Sequence, residues 1–267
     1  MLRPIVETYN QSEEYLYSKQ YCFIKGFAVG RNYTNLLKAL PLARQMHNGQ
    51  YRKGLTEVNG EKVHLPYVLH VLKVCSTLIN LAVPFTDEEL DVLYTCAILH
   101  DVLEDASEYF PNGGMELVQV YGFPKDVLEV ILLLSKRSGA SEEELNDYFN
   151  KIKMNKYALL IKLADRSHNV EDLYNMKNIP KYINETRTYI LNGLCSYGKS
   201  HYPELSEGIT TLKSKILSLT ETVEVMQEKI EAKNLEIEAK NSELVVKDAE
   251  IDELKAMIEK IKNSKTE

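Results

Sequence analysis

Eight apolar residues spaced seven apart constrain this chain more than anything else in it. They are Ile209, Ile216, Val223, Ile230, Ile237, Leu244, Ile251 and Ile258. An unbroken heptad of apolar residues marks the a positions of a coiled-coil seam. The positions three further on are Leu212, Leu219, Met226, Lys233, Lys240, Lys247, Leu254 and Ile261, so the d layer is apolar at both ends and lysine in the middle. Residues 206–267 carry 10 Lys and 14 Asp or Glu, with no aromatic residue and no proline. Such a segment cannot build an ordinary compact core. It reads as a coiled-coil helix of roughly 50 residues, about 75 Å long at 1.5 Å per residue. β-branched residues at a and Leu at d lean towards a parallel dimer, and the lysine layers restrict register and weaken the seam. The expected role is homo-oligomerisation, with docking on a partner helix or a solvated single helix as alternatives.

The rest of the 267 residues hold every Tyr, Phe and Pro, together with 22 basic and 25 acidic residues. That part is long enough to bury a core. The whole-chain charge of −7 argues against large nucleic acids and anionic membranes as partners. No apolar run approaches the roughly 20 residues of a membrane span, and no signal-peptide hydrophobic region opens the chain. Cys22, Cys75, Cys96 and Cys195 are scattered without metal-ribbon spacing, which fits reduced thiols. A cytoplasmic protein is expected.

Helical periodicity dominates from Asn35 to Leu205, giving an all-α class. Leu36, Leu37, Leu40 and Ala43 recur at helix spacing, as do Val68, Leu69, Leu72 and Leu78. Thr86 with Glu89, and Ser141 with Glu144, carry the capping-box pattern that starts a helix. Pro124 suits a first helical turn. Asn59-Gly60 is the one hairpin signal. Three divisions follow: an aromatic-rich extension over 1–34 that packs on the main domain, a helical domain over 35–205, and the coiled-coil helix over 206–267.

Polar clusters interrupt this apolar pattern. His100-Asp101 follows the apolar run 92–99 and leads into Glu104-Asp105. On a continuous helix, His100 and Glu104 would share one face and Asp101 and Asp105 the next. Asp165 follows Ala158, Leu159, Leu160 and Ile161 on a helix expected over 156–172, so its carboxylate needs a cation: Arg166 beside it, or a metal. His70 closes a third cluster. His, His, Asp and Asp together suit Mn²⁺, Fe²⁺ or Zn²⁺.

Three stretches, ARQMHNGQYRKG at 43–54 completed by PYVLH at 66–70, HDVLED at 100–105, and KLADRSHN at 162–169, resemble in order and spacing the HD-domain metal-dependent phosphohydrolases. Within them the chain is most similar to the alarmone hydrolase domain of the RelA/SpoT type. The resemblance covers about residues 35–200 and implies an HD-domain helical bundle. It implies that His70, His100, Asp101 and Asp165 bind Mn²⁺ and that Glu104 and Asp105 orient or deprotonate the attacking water. It further implies that Arg52, Lys53 and Asn169 hold the nucleotide. The implied reaction removes the 3′-pyrophosphate of guanosine tetra- or pentaphosphate. Another nucleotide (NADPH 2′-phosphate, a cyclic oligonucleotide) and a non-catalytic nucleotide-sensing scaffold stand as alternatives. His47 and His168 are read as packing residues. The sequence departs from the resemblance at Val71, at the insertion 55–65, and at Glu171-Asp172, where two acids stand near the expected polyphosphate.

Overall fold

The computed structural model describes residues 11–58, 60–136, 139–175 and 178–263. The described chain divides into two compact units, one running through Leu219 and one beginning at Thr220.

The first unit is helical apart from one hairpin. Its opening elements are α1 (Gln11–Arg31) and α2 (Thr34–Met46), then β1 (Tyr51–Val58) and β2 (Glu61–Pro66). Next come α3 (Val68–Asn80), α4 (Asp87–Leu99), the single turn α5 (Val102–Asp105), α6 (Met115–Gln119) and α7 (Lys125–Leu134). The chain continues through α8 (Glu142–Lys153), α9 (Lys156–Asn169) and a 3₁₀ segment Val170–Asn175. Then α10 (Ile179–Glu185), a π-helical stretch Thr186–Leu194 and α11 (Cys195–His201) lead to α12 (Ser206–Asn263). The all-α expectation therefore holds, and the strands pair antiparallel with Val58 opposite Glu61. Just before β2, Gly60 takes the positive φ of 85° that glycine adopts without strain. Asn59 lies outside the described residues.

Both capping boxes are formed. The Thr86 hydroxyl accepts from the Glu89 backbone while the Glu89 carboxylate accepts from the Thr86 backbone, and Ser141 and Glu144 do the same for α8. Pro124 stands one residue earlier than expected, at the cap of α7. The start of α2 is held from elsewhere: the buried Asp91 carboxylate, one turn into α4, accepts from the backbone N–H groups of Asn35 (3.1 Å) and Leu36 (2.9 Å).

α9 is the axis of the core. Ala158, Leu159, Leu160, Ile161, Leu163 and Ala164 are all fully buried, with α3, α4, α7 and α8 packed around them. α1 packs on α2 and α3. The first heptad positions of α12, Ile209, Leu212 and Ile216, are buried in this same core. Opposite them Gly198 leaves no room for a side chain, since a Cβ there would lie 2.7 Å from the Ile209 Cδ1. The second unit is one continuous helical segment from Thr220 onward. Its heptad residues Ile230, Ile237, Leu244, Ile251 and Ile258 are exposed. The Ile261 side chain lies outside the described set.

Candidate metal centre and the cavity beside it

Three helices deliver the candidate ligands to one point. His70 comes from the first turn of α3, His100 from the end of α4 and Asp165 from the third turn of α9. One donor atom from each lies within 4.8 Å of the others, and all three residues are buried. Asp101 completes the group: its Oδ2 is 3.0 Å from His100 Nε2 and 3.6 Å from His70 Nε2. The His70 Nε2 lies 3.1 Å from Asp165 Oδ1.

α4 does not continue through this point as the sequence pattern suggested. It ends at Leu99, and Asp101, at φ −100° and ψ −3°, starts the separate turn α5 by accepting from the Glu104 and Asp105 backbones. The break lets adjacent residues, His100 and Asp101, aim at the same centre, which a continuous helix forbids. The Glu104 carboxylate accepts from the Lys136 backbone N–H.

The imidazoles are oriented by their other nitrogens. His100 Nδ1 lies 2.9 Å from the Ala97 carbonyl, so it must donate, and the neutral ring keeps its lone pair on Nε2. His70 Nδ1 meets His168 Nδ1, and with His168 accepting, the His70 Nε2 also carries a lone pair. Both Nε2 atoms are buried without a hydrogen-bond partner. Two lone pairs and two carboxylates converging in a buried space require positive charge. The electrostatics say the same. Burial lowers the His100 pKa, but Asp101 and Asp165 outweigh it and push it up to about 9, so in the metal-free protein a proton on Nε2 meets their charge in the place a cation would take. Burial lowers the His70 pKa against the pull of Asp165 and Asp101. Burial opposes ionisation of Asp101 and Asp165 too, yet His100 and, for Asp165, Lys162 hold both well below the carboxylate range. The donor set fits a divalent cation that accepts nitrogen and oxygen.

Lys162, not Arg166, pairs with Asp165, at 2.9 Å. Arg166 is directed to the Thr186 hydroxyl (2.9 Å) and stacks over the Tyr182 ring. Tyr67 donates to Asp101 Oδ2 at 2.8 Å. Asp105 lies close by, its carboxyl pushed up to about 6 by partial burial and by the charges of Asp101 and Glu104. His47 packs against Tyr67 and is bonded to Gln50, outside the cluster.

Beside His70 opens a cavity of about 210 Å³ lined by Arg52, Leu65, Leu69, His70, Lys73, His168, Glu171 and Asp172. Arg52 reaches it from β1 and is held on two sides. Its Nη1 donates to Asn169 Oδ1 (3.0 Å), while Nε (3.2 Å) and Nη2 (2.9 Å) donate to Asp172 Oδ2. Asn169 donates in turn to Asp165. α9 stops at Asn169 rather than reaching residue 172, and Asp172 departs from helical geometry (φ −102°, ψ 15°), which aims it at Arg52. Glu171 pairs with Lys215 at 2.7 Å. Lys53 lies on β1, with its side chain outside the described set. Lys162, Tyr67, His168 and Asp172 were not marked as site residues by the sequence. The spacing of Lys162 to Asp165, one helical turn, was the signal for the first.

Residues 67–170 match the family described as HD domain. The guanosine-3′,5′-bis(diphosphate) 3′-pyrophosphohydrolase of Borreliella burgdorferi is 32% identical over 154 residues, 54% of this chain and 20% of that protein. The bifunctional (p)ppGpp synthase/hydrolase SpoT of Escherichia coli is 28% identical over 171 residues, 61% of this chain and 21% of that one. A Haemophilus influenzae protein named like the first is 30% identical over 144 residues, 51% and 18% of the two chains. The chain thus spans about a fifth of the length of the curated relatives it matches. Among the described residues no helix is long and apolar enough to cross a membrane.

Proposed function

The chain carries an HD domain over residues 67–170, and from that premise we propose that it is a metal-dependent phosphohydrolase. Its proposed reaction removes the 3′-pyrophosphate of guanosine tetra- or pentaphosphate with Mn²⁺. The observation that carries the reading is the convergence of two buried, unpartnered imidazole nitrogens with two carboxylates. The names of the relatives support the substrate.

In this reading His70, His100, Asp101 and Asp165 hold the cation. When bound, a divalent cation supplies Lewis acidity toward a phosphate oxygen and acidifies a water. Asp105, raised to about 6, is matched to take a proton from that water near neutral pH. Glu104, fixed by the Lys136 backbone, orients the water. Lys162 and Asn169 brace the Asp165 carboxylate. The resemblance assigns Arg52, Lys53 and Asn169 to the nucleotide; of these, Arg52 and Asn169 are bonded to each other at the cavity beside His70. Asp172 on Arg52 favours a second reading, the same chemistry on a less highly charged nucleotide. The exposed heptad face of residues 220–258 supports self-association of the chain.

The test is a substrate panel. Purified protein with Mn²⁺ is offered guanosine tetraphosphate, NADPH and a cyclic oligonucleotide, with phosphate and pyrophosphate measured separately. Pyrophosphate from the tetraphosphate is expected. Glu104→Gln and Asp105→Asn should fold and lose at least about a hundredfold in rate. Full activity in both variants removes the catalytic assignment, and no release from any substrate removes the reading.

A further inference from the structure

Lys73 lies three residues after His70 on α3, so both side chains share one face of that helix and both line the 210 Å³ cavity. Two cations and two acids line this space besides the imidazoles. The acids are already committed. Asp172 takes the Nε and Nη2 donors of Arg52, and Asn169 takes Nη1. Glu171 takes Lys215. Arg52 is therefore braced where it stands, with Nε, Nη1 and Nη2 all engaged and its charge met by Asp172. Lys73 forms no ion pair among the described residues, and it is partly buried. The cavity's uncancelled positive charge is Lys73.

We propose that Lys73 is a phosphate-binding residue that fixes the anionic group of the substrate lying beside His70, and that Asp172 withholds Arg52 from that role. This deepens the phosphohydrolase reading and rests on it. Lysine suits the task as a compact point charge that needs no bidentate geometry, whereas Arg52 could serve only by giving up Asp172. Recognition of the phosphate would then depend on Lys73 and resist changes at Arg52. Releasing Arg52 would add a second cation.

Calorimetric titration of the full chain with inorganic pyrophosphate, before and after Mn²⁺ loading, reads this directly. Lys73→Ala should weaken binding about tenfold, as expected for one charged hydrogen bond. Lys73→Arg should restore most of it. Lys151→Ala, an exposed lysine on α8 outside the cavity, should bind like wild type. Asp172→Asn should bind more tightly. With whichever substrate the panel identifies, the Lys73→Ala loss should fall on KM. Unchanged pyrophosphate affinity in Lys73→Ala, or no affinity in wild type, overturns the proposal. If no substrate turns over but Lys73→Ala still weakens pyrophosphate binding, the phosphohydrolase reading falls and the anion site stands. If substrate turns over and Lys73→Ala changes neither KM nor pyrophosphate affinity, the phosphohydrolase reading stands and the anion site falls.

Discussion

The Ala97 carbonyl takes the Nδ1 proton of His100, and this decides what the other nitrogen can offer. Nε2 faces Asp101 at 3.0 Å, so either a proton on that nitrogen or a cation between the two must meet the carboxylate charge. A ligand that binds only the folded state adds about 2.7 kcal/mol at a hundred times its dissociation constant. Wild-type protein should therefore melt at a higher temperature in Mn²⁺ than in EDTA, and His100→Ala should lose most of that increment. An undiminished increment in the variant would remove His100 from the ligand set. The sequence made His100, Asp101 and Asp165 visible because each ends an apolar run with a group that burial penalises. Lys162 and Asp172 were not visible in the same way. A lysine one turn before an aspartate, or an aspartate after a helix, is ordinary on a solvated surface. Only the burial of α9 turns Lys162 into the partner of Asp165, and only the break after Asn169 turns Asp172 toward Arg52.

Helix starts were legible where the cap lies within four residues, as at Thr86 and Ser141, because donor and acceptor are both local. The start of α2 was not, since Asp91 caps it from another helix 56 residues from Asn35. The end of α4 was hidden too: nothing in the hydrophobic pattern distinguishes a helix that runs past His100 from one that stops and restarts at Asp101. The cap at Glu89 carries a pH-dependent increment. Its carboxylate accepts from the Lys156 ammonium at 2.6 Å, and this bond, with the Thr86 backbone N–H, lowers its pKa from 4.5 to about 2. A folded pKa below the unfolded one stabilises above pH 4.5, and the gain disappears as pH falls from 4.5 toward 2. The pair is partly exposed and water screens it, so the increment is about 1 kcal/mol. Glu89→Gln keeps the capping geometry and removes the charge. In urea unfolding the variant should trail wild type by that amount at pH 6 to 7, and the gap should close as the pH is lowered below 4.5. A gap that has not narrowed by pH 2 would show that the cap, not the charge, sets the difference.

Across the whole chain, one heptad pattern serves two purposes. Ile209, Leu212 and Ile216 are buried in the core of the first unit, whereas Ile230, Ile237, Leu244, Ile251 and Ile258 stand exposed on the second. The sequence could not divide them, because the spacing that faces a coiled-coil partner also faces a helical core. What separates them is the composition that follows: from Lys233 the d positions turn to lysine, and no globular core accepts three of those in succession. Lys233 and Lys240 both reach Glu236, at 2.8 and 2.7 Å, so their charges are partly met along the helix while the isoleucine stripe stays uncovered. A continuous apolar stripe exposed to water calls for a covering surface. Under the proposed self-association a second copy would bring the same stripe, with the lysine layers weakening the seam at its centre. Self-association should therefore be moderate and rest on the a positions. In sedimentation velocity, the full chain should run as a dimer or larger at micromolar concentration, and Ile237→Glu with Leu244→Glu should run as a monomer. Both substitutions fall on exposed residues of the second unit, so the Mn²⁺-dependent rise in melting temperature should survive them. A monomeric wild type would leave the stripe to a different partner and remove self-association, while a variant that still dimerises would move the interface off this helix.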